Sequence, residues 1–112
     1  MLEDLLTLLD SNRVQRFSYA NKLSKDKDQL TQTLVVWLAF WRDVLLQSTA
    51  SNPTLTNVDR AADIQRLAQH LDTQTAQEVV VLLENKLGEL RTNVNLRLTS
   101  EALMLQLPFI PT

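Results

Sequence analysis

The 112 residues contain no cysteine, so disulfides, a thiolate metal site and a cysteine nucleophile are excluded, and a reducing cytoplasm is the expected location. A single glycine leaves almost no supply of positive-φ positions for tight hairpin turns, and aromatic residues make up only 5%, which turns the expectation away from sheet. The lone histidine, His70, has no cysteine, second histidine or acid cluster to complete a metal site. It reads as a solvated residue in the last turn of a helix. There is no glycine-rich phosphate loop and no serine–histidine pattern, so no catalytic residue, metal, cofactor or small-molecule substrate is expected. The longest apolar run is the eight residues 34–41, where a membrane span needs about twenty. That run is expected in a core, with no membrane partner. The opening Met1-Leu2-Glu3-Asp4 places acids where a secretory signal carries bases, and nothing in it points to export.

What is present suits one folded domain over residues 1–112. Hydrophobic residues make up 45% and charged residues 21%, a balance foreign to disorder. Surface scaling predicts about 6,300 Å² of accessible surface for a folded chain of this mass. Eleven bases against thirteen acids give a net charge of −2, which disfavours a phosphate-tracking groove.

Apolar spacing predicts an all-α protein, a compact bundle of about five helices with a long C-terminal helix. The first carries Leu2, Leu5, Leu6, Leu8 and Leu9 and stops at Asp10-Ser11-Asn12, whose side chains compete with helix. The second has Val14, Phe17, Ala20 and Leu23 recurring at threes, with Arg13, Arg16, Lys22 and Lys25 on solvated faces. Asp26 or Asp28 caps the third, in which Leu30, Leu34, Trp37, Trp41, Val44 and Leu45 repeat at threes and fours. Its middle is apolar nearly all round, so other helices or another chain must surround it. A polar, proline-containing loop over 48–57 follows, expected to be the flexible stretch. Thr56 or Asn57 caps a fourth helix that ends near His70. Thr75 with Glu78 fits a capping box for the last helix, whose Val80, Leu83, Leu87, Leu90 and Val94 step at coiled-coil spacing and continue through Leu98, Ala102 and Leu105 to Pro108.

Two polar clusters interrupt these stripes. In Trp41-Arg42-Asp43, the arginine either forms an exposed ion pair, stacks on tryptophan or reaches a carboxylate of another helix. Asn93, Arg97 and Glu101 fall at i, i+4 and i+8 on one helical row, while Asn95 shares a face with Leu98 and Ala102. Asparagine there is poor for helix and points to a buried hydrogen-bonded position, an interface or a water-facing stripe.

Trp41-Arg42-Asp43-Val44-Leu45-Leu46, then Asn57-Val58-Asp59-Arg60, then Asn93-Val94-Asn95-Leu96-Arg97-Leu98, Glu101-Ala102-Leu103-Met104-Leu105 and Leu107-Pro108 together resemble the C-terminal domain of the δ′ subunit of the bacterial DNA polymerase III clamp loader. The likeness is best over Trp37 to Pro108. Thr99-Ser100 stands where Leu-Ala would be commoner, a change that leaves the polar row intact. The resemblance implies a non-catalytic helical collar domain that joins clamp-loader subunits into a ring, with γ/τ and δ as partners. DNA and the sliding clamp would be reached only indirectly, through an AAA+ region that these residues lack, so the chain would be a fragment of a longer subunit. Trp41, Arg42, Asp43, Asn93, Asn95, Arg97 and Glu101 would then orient helices within the domain or between subunits. The competing expectation is a helical bundle that binds nucleic acid directly through Arg13, Arg16, Lys22, Lys25 and Lys27.

Overall fold

A computed structural model describes residues 1–49, 53–92 and 95–111, and every regular element among them is helical. Helix α1 (Leu2–Leu9) places Glu3 and Asp4 in its first turn, where the helix dipole favours them, and buries Leu5, Leu8 and Leu9. Asn12 separates it from α2 (Arg13–Leu23) with a reciprocal cap: its Oδ1 accepts from the Gln15 amide at 2.9 Å, and Gln15 Oε1 accepts from the Asn12 amide at 3.0 Å. Asp26 starts α3 (Lys27–Thr49), accepting from the amides of Asp28 and Gln29 at 3.0 and 3.2 Å.

At 23 residues α3 spans about 34 Å. It is the axis of the molecule, packed against α1, α2, α4 (Ala61–His70) and α5 (Thr73–Glu89). Those neighbours bury Leu30, Leu34, Trp37, Phe40, Trp41 and Val44, which answers the demand of its all-round apolar middle. Val35 and Leu46 remain open to solvent. The last helix, α6 (Leu96–Gln106), packs on α2 and α5. Accessible surface totals 6531 Å², close to the value scaling predicts for a single folded unit. No helix among the described residues is long and apolar enough to cross a membrane.

Four local expectations change. The single long C-terminal helix is two helices: α5 ends at Glu89, Arg91 and Thr92 turn back on Gly88 and Glu89, and Asn95 opens α6 by capping the Leu98 amide. A side-chain acceptor at the mouth of a new helix outweighs continuation of the apolar spacing. Helix α5 is capped by Asp72, which accepts from the Thr75 amide at 2.7 Å, so Thr75 lies inside the helix and forms no capping box. Helix α4 follows a 3₁₀ turn at Val58–Arg60 and has no side-chain cap, because Asn57 is engaged elsewhere. Finally, α2 buries Arg16, Ala20 and Leu23, while Val14 stands 77% exposed and Phe17 lies at the surface. A strict spacing of three drifts by about 60° per step on a helix of 3.6 residues per turn, so 14, 17, 20 and 23 cannot share one face. Of the loop expected over 48–57, residues 50–52 lie outside the described residues.

Candidate functional site

The polar residues singled out by sequence separate into local roles. Trp41 is fully buried and meets Phe40 edge to face, ring centroids 6.3 Å apart, with its indole N–H unpaired among the described residues. Arg42 faces solvent and pairs with Glu84 across α3 and α5 at 3.5 Å, an exposed contact of little energetic weight. Asp43 is buried and holds the far end of the loop: its carboxylate accepts from the Thr56 amide at 3.0 Å and from both the amide and the side-chain nitrogen of Asn57 at 2.8 Å. Three donors on one carboxylate satisfy a charge that burial would otherwise penalise. Arg60, at the end of that same segment, reaches Glu3 of α1 at 3.4 Å and Asp63 at 3.5 Å.

In the second cluster, Asn93 lies outside the described residues. Asn95 is the cap of α6, exposed rather than buried, and Arg97 pairs with Glu101 at 3.0 Å on the outer face of that helix. No hydrogen bond or ion pair among the described residues joins this cluster to Trp41, Arg42 and Asp43. Thr99 and Ser100 point inward, and the Ser100 hydroxyl is fully buried without a hydrogen-bond partner among the described residues. His70 is exposed in the last turn of α4.

Arg16, expected on a solvated face, is instead the most heavily bonded side chain among the described residues. Arg16 is only 6% exposed and points into the junction of α1, α2, α6 and the C-terminal tail. Its Nε donates to Leu8 C=O at 2.9 Å. One terminal nitrogen donates to Met104 and Leu107 at 2.8 and 2.7 Å, the other to Pro108 at 2.8 Å and Leu9 at 3.4 Å. All five N–H donors of the guanidinium are thereby used. Its acceptors are carbonyls at the C-terminal ends of α1 and α6, where the helix dipoles are negative, and in the tail at Pro108; those of Leu8 and Leu9 also accept the amides of Ser11 and Ile110. Burial lowers the arginine pKa from its ordinary value, yet the group stays protonated at any physiological pH. The signal available in sequence was the 4, 3 spacing of Arg16, Ala20 and Leu23, which fits a helical face better than the apolar threes. This arrangement also removes Arg16 from the proposed phosphate-contacting patch.

Beside Arg16 the surface opens into a cleft of about 400 Å³ between α2 and the α6–tail junction, walled by Phe17, Leu105 and Phe109 with Arg13 at its edge. No family model, curated protein or solved structure matches this chain.

Proposed function

We propose that this chain is a non-catalytic oligomerisation module, the collar domain of a clamp-loader δ′ subunit, which holds γ/τ and δ in a ring while the ATP-driven loading of the sliding clamp onto primed DNA takes place in other modules of the DNA polymerase III assembly. The observation that carries the reading is the Asp43–Asn57 junction. Two of the segments on which the resemblance rests, Trp41-Arg42-Asp43 and Asn57-Val58-Asp59-Arg60, are separate in sequence and joined in space by hydrogen bonds from the Asn57 amide and side chain to one buried carboxylate. A likeness in both segments then has one physical ground, since Asn57 supplies two of the three donors that satisfy the buried carboxylate. The closing segments fit in the same way: Asn95 starts α6, and the carbonyls of Leu107 and Pro108 receive Arg16. Outward-facing Val35, Leu46, Val81, Leu98, Leu105 and Phe109 supply apolar surface of the kind that subunit contacts cover.

Sedimentation of the chain with and without a γ/τ collar fragment tests the reading. A faster-sedimenting complex is expected. Two components that migrate as separate monomers at high concentration would overturn it.

A further inference from the structure

The cleft beside Arg16 differs from the other exposed apolar surfaces in having a depth, a rim and a sign of charge. Leu105 and Phe109 are 53% and 64% exposed. The residues that line it include two arginines and no acid, whereas Lys22, further along α2, lies towards α1 beside Asp4. The two arginines make a local positive field on a chain whose net charge is negative.

The chemistry of the cleft discriminates between occupants. Arg16 contributes charge but no donor, because all five N–H groups already point at carbonyls. Arg16 therefore offers a small polar ligand no donor and the Ser11 hydroxyl is spent on Thr7 C=O, which leaves as polar lining only Asn12 and Arg13 at the start of α2, fewer converging groups than small-molecule sites normally place. Arg13 is exposed at the edge and enters none of the ion pairs among the described residues. An apolar trough with Arg13 at its lip, flanked by two 11-residue helices about 16 Å long, matches three turns of a partner helix. Such a helix would place apolar side chains at i and i+3 or i+4 in the trough and a carboxylate beside them.

We propose that the cleft between α2 and the α6–tail junction docks an acidic amphipathic helix of a partner subunit, with Phe17, Leu105 and Phe109 receiving its apolar side chains and Arg13 its carboxylate. The proposal rests on the oligomerisation reading and adds to it the face used and the charge of the partner. Charge complementarity of this kind acts on partner choice and association rate as much as on affinity.

The test uses the full chain and the γ/τ collar fragment in sedimentation and titration experiments. Arg13→Glu and Leu105→Asp change exposed positions, and a glutamate in the first turn of α2 suits the helix dipole, so both variants should melt like the wild type. Each is expected to weaken the complex at least tenfold, whereas Gln65→Glu, on exposed α4 surface outside the cleft, leaves it unchanged. Raising the salt should weaken the wild-type complex more than that of Arg13→Gln. Wild-type binding that survives both cleft substitutions overturns the cleft proposal and leaves the oligomerisation reading standing. No binding by the wild type overturns both. The chain alone forming a dimer that Leu105→Asp dissociates, or saturable binding of dodecanoate that the same variant removes, would assign the cleft to a second copy or a small amphiphile and likewise overturn the proposal.

Discussion

Arg16 inverts the usual arrangement of a buried cation, which is neutralised by a carboxylate on a facing element. Here the counter-charge is spread over five backbone carbonyls from two helix ends and the tail, so its loss would strand several acceptors together. Arg16→Met leaves the carbonyls of Met104, Leu107 and Pro108 without that donor and, at about 1–3 kcal/mol for each buried acceptor left unsatisfied, should cost about 3–5 kcal/mol of unfolding free energy in urea titrations once relaxation is allowed for. Arg16→Lys keeps the charge but offers three donors from one point, and should lose less, about 1–3 kcal/mol. Equal stability of the wild type and Arg16→Met would refute the role. Tyr19 is the second residue with a readable consequence. It stacks on Trp37 with centroids 6.1 Å apart and donates to Asp4 at 3.1 Å. Burial, then the negative charge of Asp4, raise its pKa above the ordinary tyrosine value of about 10. The folded state retains the proton that the unfolded state releases, so this contribution is complete below pH 10 and declines as the pH rises from there towards the folded value. As the chain has one tyrosine, phenolate absorbance should appear late and together with unfolding, and Asp4→Asn should move it to lower pH.

At the scale of elements, much was legible because local chemistry decides it. The stop at Asp10-Ser11-Asn12, the Asp26 cap and the apolar repeat of α3 all follow from side chains acting on backbone within a few residues. The rotation of α2 shows in sequence only as the 4, 3 spacing of Arg16, Ala20 and Leu23, and the reason an arginine belongs to that face is hidden because its acceptors in α6 and the tail lie 88 to 92 positions away along the chain. The division of α5 from α6 was obscured because Leu87, Leu90, Val94 and Leu98 keep a helical spacing across the break, while the deciding feature is the cap at Asn95. The polar residues of the candidate site were visible as exceptions to apolar stripes, but not the partner that each would take. Helix propensity yields a paired prediction. A Cβ at Gly88 meets nothing within 4 Å and its φ is not positive, so Gly88→Ala should stabilise α5 by up to about 1 kcal/mol. Asn95→Ala should cost about 1 kcal/mol by removing the acceptor for the Leu98 amide. Denaturant midpoints moving in opposite directions would bear out the two-helix description. A stabilising Asn95→Ala would favour one continuous helix instead.

For the molecule as a whole, the two ends of the chain are one structural unit. Trp37 donates its indole N–H to Met1 C=O at 3.1 Å, the Ile110 amide donates to Leu9 C=O at 2.8 Å, and Arg16 joins α1 to Leu107 and Pro108. The tail beyond α6 is therefore part of the fold although proline bars it from helix. Ending the chain at Leu107 would remove the buried Ile110 side chain, worth about 1.5–3 kcal/mol, together with its amide bond to Leu9 and one acceptor of Arg16. A combined loss of about 3–5 kcal/mol is expected, a large share of the stability of a domain this size. Because the damage falls on α1, α2 and α6 together, hydrogen exchange should accelerate in all three helices by comparable factors, with α4, which packs on α3, less affected. Acceleration confined to the last turn of α6 would mean that the tail merely covers the bundle, and Arg16 would then be held by α1 and Met104 alone.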